Sequence, residues 1–162
     1  MKIDIRKVSS IDELEICSKL RKEVFGIEEK APEALFVIDD KDMESTTHSF
    51  LLELDGIPVA SCRYIKIDDE VIKLQRMVVL KEYRKKGLAR ELLKYLEDDA
   101  VKCGYRKIIM DSAESAAIFY EKCGYTKKSD VFYEDGRPHI KMEKELQRKW
   151  LIWKSFILKD LV

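Results

Sequence analysis

Apolar and polar residues alternate over residues 2–8, KIDIRKV, and the alternation then gives way to Ile11, Leu14, Cys17, Leu20 and Val24 at helical spacing. A strand followed by a helix is predicted, with Ser9 and Ser10 marking the helix start. Residues 26–47, GIEEKAPEALFVIDDKDMESTT, keep no period and are rich in acids, so they predict a long loop or an irregular second helix. From His48 the alternation returns in three runs, HSFLLEL, IPVASCRYIKI and EVIKLQRMVVL, separated by Asp55-Gly56 and Asp68-Asp69. These predict an antiparallel meander, Asp-Gly being a strong hairpin signal. Beyond Gly87, the residues Leu88, Leu92, Tyr95, Leu96, Ala100 and Cys103 share one helical face, and Gly104 is placed to stop that helix. YRKIIM then reads as a short buried strand. Residues 113–123, AESAAIFYEKC, suit a helix closed by Gly124, and residues 125–146 a hairpin turning at Asp135-Gly136. The expected class is α/β in the wider sense, an α+β mixed sheet, mostly antiparallel and flanked by helices.

Composition narrows the function classes. At 162 residues the chain suits one domain with a sizeable core. Its 31 basic and 31 acidic residues balance, so no global charge argues for a nucleic-acid or membrane partner. Cys17, Cys62, Cys103 and Cys123 follow no metal-binding spacing and only His48 and His139 accompany them, so no metal is expected. The charged start and the lack of a long apolar run predict a cytoplasmic protein with reduced thiols. The tail WLIWKSFILKDLV is apolar nearly all round, and residues 147–162 are expected to pack on the 1–146 domain or to form a homodimer contact.

The most informative stretch is MVVLKEYRKKGLARELLKYLEDDA, residues 77–100. A strand breaks into Arg84, Lys85 and Lys86, passes Gly87 and emerges as a helix. Such a turn presents unpaired N–H groups and the positive end of the helix dipole, and glycine lets a ligand approach the backbone. That combination binds phosphate. GxGxxG and GxxxxGK[ST] are both absent, which excludes a dinucleotide fingerprint and a Walker loop.

RKKGLA, residues 84–89, resembles the pyrophosphate loop of the GNAT superfamily of N-acetyltransferases, Gln/Arg-x-x-Gly-x-Gly/Ala. The preceding LQRMVVL, the helix ARELLKYLEDDA, the segment AAIFYEKCGY and the closing EDGRPHIKMEK fall in that superfamily's order. RKEVFGIEE, THSFLL and GRPHIKM look most like its ElaA-like branch. The resemblance implies a GNAT-type acyl-CoA N-acyltransferase fold, with acetyl-CoA as cosubstrate. It further implies that Met77, Val78 and Val79 offer main-chain groups to the pantetheine arm, and that Arg84, Lys85, Lys86, Gly87, Leu88 and Ala89 hold the diphosphate. Tyr120 matches the family's general acid; a phenol holds its proton near neutral pH and can give it to a departing thiolate. Ala113 stands where many members have an asparagine that touches the cofactor.

The acceptor is expected to be a small-molecule or peptidyl amine, attacked in a ternary complex; a non-catalytic coenzyme A sensor of the same fold is the alternative, and the acyl group is left open. Glu28, Glu29, Asp39, Asp40, Asp42, Glu44 and His139 are all candidates for the base. The acids of residues 26–47 are read either as a solvated surface loop or as a negative rim that attracts a protonated amine and weakens with salt. None of the cysteines has a base partner in the sequence that would make it a nucleophile.

Overall fold

The structure, a computed structural model, describes residues 1–146. The expected packing of the tail lies outside the described residues. By their contacts the residues divide into two compact units, Met1–Ile67 with Lys73–Leu96, and Asp68–Ile72 with the chain from Glu97 onward.

β1 (Ile3–Lys7), β2 (His48–Leu54), β3 (Ile57–Lys66) and β4 (Val71–Val79, in the first unit from Lys73) run in the order β1-β2-β3-β4. The first two ladders are antiparallel, pairing Ile5 with Leu52 and Leu51 with Ser61. The Asp55-Gly56 hairpin forms as predicted, both residues taking left-handed φ values of 51° and 81°. Helix α1 (Ile11–Arg21) starts where the serines place it: Ser10 Oγ accepts from the Glu13 amide at 3.2 Å, and Glu13 reaches back to the Ser9 amide at 3.0 Å. The reciprocal bonds satisfy two otherwise unpaired donors.

Successive residues of β2 point to opposite faces, and both faces are covered. Leu51 packs with Cys17, Leu20 and Val24 from α1 and its continuation. Phe50 meets Tyr95 of α2 (Leu88–Lys102) edge-on at 5.8 Å. This explains why Phe50, Leu51 and Leu52 are all buried although a one-faced strand would alternate. The segment after α1 is irregular, as expected: a π-helical stretch at Lys22–Glu28 and single 3-10 turns at Glu33–Leu35 and Lys41–Met43.

In the second unit β5 (Lys107–Ala113) pairs antiparallel with β8 (Arg137–Glu145), Met110 opposite Met142. Beyond it β6 (Thr126–Lys127) and β7 (Phe132–Glu134) also pair with β8. Two expectations are corrected here. The helix predicted over 113–123 is shorter, a 3-10 turn at Glu114–Ala116 and then α3 (Ala117–Lys122), because Ala113 is held in β5 opposite His139 and Ala116 has no side chain to cap a longer helix. The two-residue strand β6 was not foreseen; it is too short to show a period.

Candidate active site

Gly87 has φ +78° and Lys85 φ +63°, so the chain turns twice through the left-handed region before α2 begins. Alternating backbone hands of this kind aim successive N–H groups toward one concavity. The Glu91 amide donates to Gly87 O at 3.2 Å, which makes Gly87 the entry residue of a 15-residue helix; the amides just after it have no carbonyl one turn earlier to bond. A Cβ at Gly87 would meet no atom within 4 Å, so the glycine is required by φ and the space above it is open. Lys85 and Lys86 are exposed beside it, while Leu88 is buried and anchors the helix.

Arg84 is used differently from the two lysines. Its guanidinium donates twice to Glu28, both bonds 2.6 Å, and its Nε donates to Val79 O at 3.0 Å. The hydrogen bond to Glu28 raises the Arg84 pKa, and Arg84 lowers that of Glu28. The turn is thus tied to the end of β4 and to the segment after α1, and Glu28 is a poor base. Val78 is buried against Cys17, Leu20 and Val24, so its side chain serves the core, whereas the Met77 and Val79 side chains are half-buried.

Two of the acids expected in a negative rim are drawn inward instead. Asp42 is buried and accepts from Arg21 Nη1 and Nη2 at 2.9 and 3.0 Å. Asp39 accepts from Arg63 Nη1 and Nη2 at 2.7 and 3.0 Å, and Arg63 Nη1 also lies 2.9 Å from Asp42. Each aspartate further accepts the other's amide, at 3.1 and 2.9 Å. Gln75 Oε1 takes the Arg63 Nε and Nη2 protons at 3.2 and 2.9 Å. Burial pushes both carboxyl pKa values up, but the arginine hydrogen bonds and charges and the reciprocal amides outweigh it, and both end below the usual carboxylate range. Neither Asp39 nor Asp42 is therefore a base near neutral pH or a lure for cations; Asp40 and Glu44 remain exposed. Sequence reading overlooked Arg21 and Arg63. The signal was present: Arg21 lies four residues after Cys17 on the apolar face of α1, and Arg63 stands within the apolar run of β3, both places where a charge needs a buried partner.

Tyr120 lies in the second unit, on α3, with 6% of its surface exposed. Its ring meets Phe119 and Tyr125 edge-on at 5.0 and 5.7 Å, and its carbonyl accepts from the Tyr125 amide at 3.0 Å. The end of this helix is fixed by Lys144, which donates to Cys123 O at 2.8 Å and to both Glu97 oxygens. His139 Nδ1 donates to Arg137 O at 2.8 Å, which leaves Nε2 as its basic nitrogen. Cys17 and Cys62 are fully buried, and desolvation pushes both thiols up, Cys62 strongly, so neither is a nucleophile. Among the described residues no helix is long and apolar enough to cross a membrane.

Comparison with known proteins gives a consistent result. Residues 19–146 match the family described as an acetyltransferase (GNAT) domain. A Bacillus subtilis (strain 168) protein whose name assigns it to the acetyltransferases is 32% identical over 147 residues, covering 88% of this chain and 97% of its own. ElaA of Escherichia coli is 26% identical over 140 residues, 85% of this chain and 90% of its own. The ElaA crystal structure superposes with a TM-score of 0.78 over 89% of this chain and all of that one, at 25% identity. An aminoglycoside 6′-N-acetyltransferase complexed with coenzyme A shares the fold, with a TM-score of 0.73 over 91% of this chain and 98% of its own at 17% identity.

Proposed function

The chain belongs to the GNAT family of acetyltransferases, in its ElaA-like branch, and from that premise we propose that it transfers the acetyl group of acetyl-CoA directly onto an amine in a ternary complex. The observation that carries the cosubstrate is the 84–89 turn: left-handed Lys85 and Gly87, open space above Gly87, two exposed lysines and the start of α2 suit a diphosphate. A related fold complexed with coenzyme A supports the same reading. Acetyl-CoA, when bound, would supply the thioester. The main chain of Met77, Val78 and Val79 takes the pantetheine arm, Arg84 to Ala89 offer amides to the diphosphate, and Lys85 and Lys86 add charge. Arg84 contributes by bracing, through Glu28 and Val79.

In the reaction the neutral amine nitrogen attacks the thioester carbonyl, the carbon–sulfur bond breaks, the Tyr120 hydroxyl gives its proton to the departing thiolate, and the proton shed by the nitrogen passes to solvent water, from which the tyrosinate regains its own. The aromatic contacts fix the Tyr120 ring within its own unit, and the Lys144 tie fixes the end of its helix. With Glu28, Asp39 and Asp42 tied to arginines, they do not serve as the base. No covalent enzyme intermediate is required.

The test is a thermal melt with and without coenzyme A. A ligand at about 100 times its Kd stabilises by about 2.7 kcal/mol, a shift of several degrees. Gly87→Glu, which sets bulk and negative charge against the diphosphate, removes that shift, whereas Gly87→Ala keeps a reduced one. A full shift in Gly87→Glu would place the coenzyme elsewhere.

A further inference from the structure

Around the aspartate pair the charges do not balance. Arg21 is matched by Asp42 and Arg63 by Asp39, each through two hydrogen bonds. Arg76 is a third cation. Its ionic contact is Nη2 to Asp39 Oδ2 at 3.7 Å, beyond hydrogen-bond length, and that oxygen already accepts from Arg63. Its Nε is buried and makes no hydrogen bond, although only 18% of the side chain is exposed. Burial, and then the Arg63 charge, push the Arg76 pKa down, as happens to a cation short of counter-charge. The backbone is also unusual: Arg76 has φ +58°, a left-handed conformation costing a non-glycine residue on the order of 1 kcal/mol, within a strand. Its neighbour Gln75 is held by Arg63, so the network sustains the distortion.

We propose that Arg76 receives the carboxylate of the acceptor, so that the substrate class is an amine bearing a carboxylate near the reacting nitrogen, as in an amino acid. The terminal Nη1 and Nη2 groups of a guanidinium offer a carboxylate two parallel hydrogen bonds end-on, and a side chain that is partly exposed admits it from solvent. The place favours the acceptor over the phosphates of coenzyme A. Arg76 directly precedes Met77, and a strand advances about 3.3 Å per residue, so it lies about 10 Å before Val79 and farther still from the 84–89 turn. By the reading above, which this inference rests on, the thioester end of the pantetheine lies at this end of the Met77–Val79 stretch. The sign is opposite to that of the expected acidic rim: the buried cluster of Arg21, Arg63 and Arg76 against Asp39 and Asp42 carries an uncompensated positive charge.

The test observes the arginine Nε–H signals of the full-length, nitrogen-15-labelled protein by NMR, with the Arg76 signal identified by its loss in Arg76→Lys. N-acetylglycine, N-acetylphenylalanine and their primary amides serve as probes, each titrated with and without coenzyme A. The expected result is a saturable shift of the Arg76 signal with the acids and none with the amides. A signal moved by neither, or equally by both, overturns the proposal. So does a signal moved by coenzyme A alone and then insensitive to the acids, which would assign the anion to the cosubstrate's phosphates. The titration without coenzyme A stays readable even if the Gly87 variants show the coenzyme to bind elsewhere, so the two readings fail separately. In turnover, Arg76→Gln should raise KM for an amino acid, relative to its amide, on the order of 10- to 100-fold, with partial rescue by Arg76→Lys. Unchanged discrimination between acid and amide would also overturn it.

Discussion

Two charged stretches of the first unit look alike on paper and fold to opposite ends. In the 84–89 turn Lys85 and Lys86 stay exposed beside an open glycine, and only Arg84 is tied to a carboxylate. In residues 39–44 the acids divide: Asp40 and Glu44 stay in solvent, whereas Asp39 and Asp42 are drawn onto Arg63 and Arg21. A run of like charge keeps its field only where nothing across the fold neutralises it. The first stretch keeps an exposed positive field; the second is a structural lock whose surplus, at Arg76, has the opposite sign to the run itself.

The largest effect should come from breaking the lock. Asp42→Ala leaves Arg21 buried without its carboxylate and should cost about 3 to 5 kcal/mol, read from urea unfolding, because removing one member of a buried pair strands the other charge. Asp40→Ala, two residues earlier and exposed, should change stability by less than about 0.5 kcal/mol. Equal effects would dissolve the distinction between the two acids.

Next in size is Tyr120→Phe, which keeps the ring and removes the proton donor. Turnover should fall by roughly 10²-fold while the melting shift with coenzyme A is kept. Undiminished turnover would assign Tyr120 to packing with Phe119 and Tyr125 alone.

The lock also has a pH signature. Asp39 and Asp42 both titrate below their ordinary value of 3.8 in the folded protein. A carboxyl with a depressed folded pKa adds stability that is fully present above its unfolded value and is lost as pH falls toward the folded one. Through these groups unfolding free energy should therefore not vary with pH near neutrality and should decline below about pH 4, by up to about 1.4 kcal/mol per pH unit for each proton taken up. Asp39→Asn should flatten that acid limb. A limb unchanged in the variant would mean that Asp39 gains nothing from Arg63.

The smallest effects belong to the exposed charges. Lys85→Ala with Lys86→Ala should weaken coenzyme A binding less than about tenfold and reduce its dependence on salt, since both act through screened solvent. Glu28→Gln breaks a partly exposed pair and should cost no more than about 1 kcal/mol. The acceptor's KM should not show the salt response expected of an acidic rim attracting a cation.

Features that depend on neighbours along the chain were legible before any fold was known. Period-two alternation placed β1 to β4, the Asp-Gly pairs placed both hairpin turns, Ser10 placed the start of α1, and RKKGLA placed the glycine turn into α2, because each is a local steric or hydrogen-bonding rule. Tertiary structure alone decided which charges survive. Asp42 meets Arg21 across 21 residues and Asp39 meets Arg63 across 24, and Arg84 finds Glu28 across 56. No periodicity carries those pairings: a carboxylate is a base, a lure or a lock according to the cation that folding brings within 3 Å of it, and the same pairing is what leaves Arg76 without a full partner.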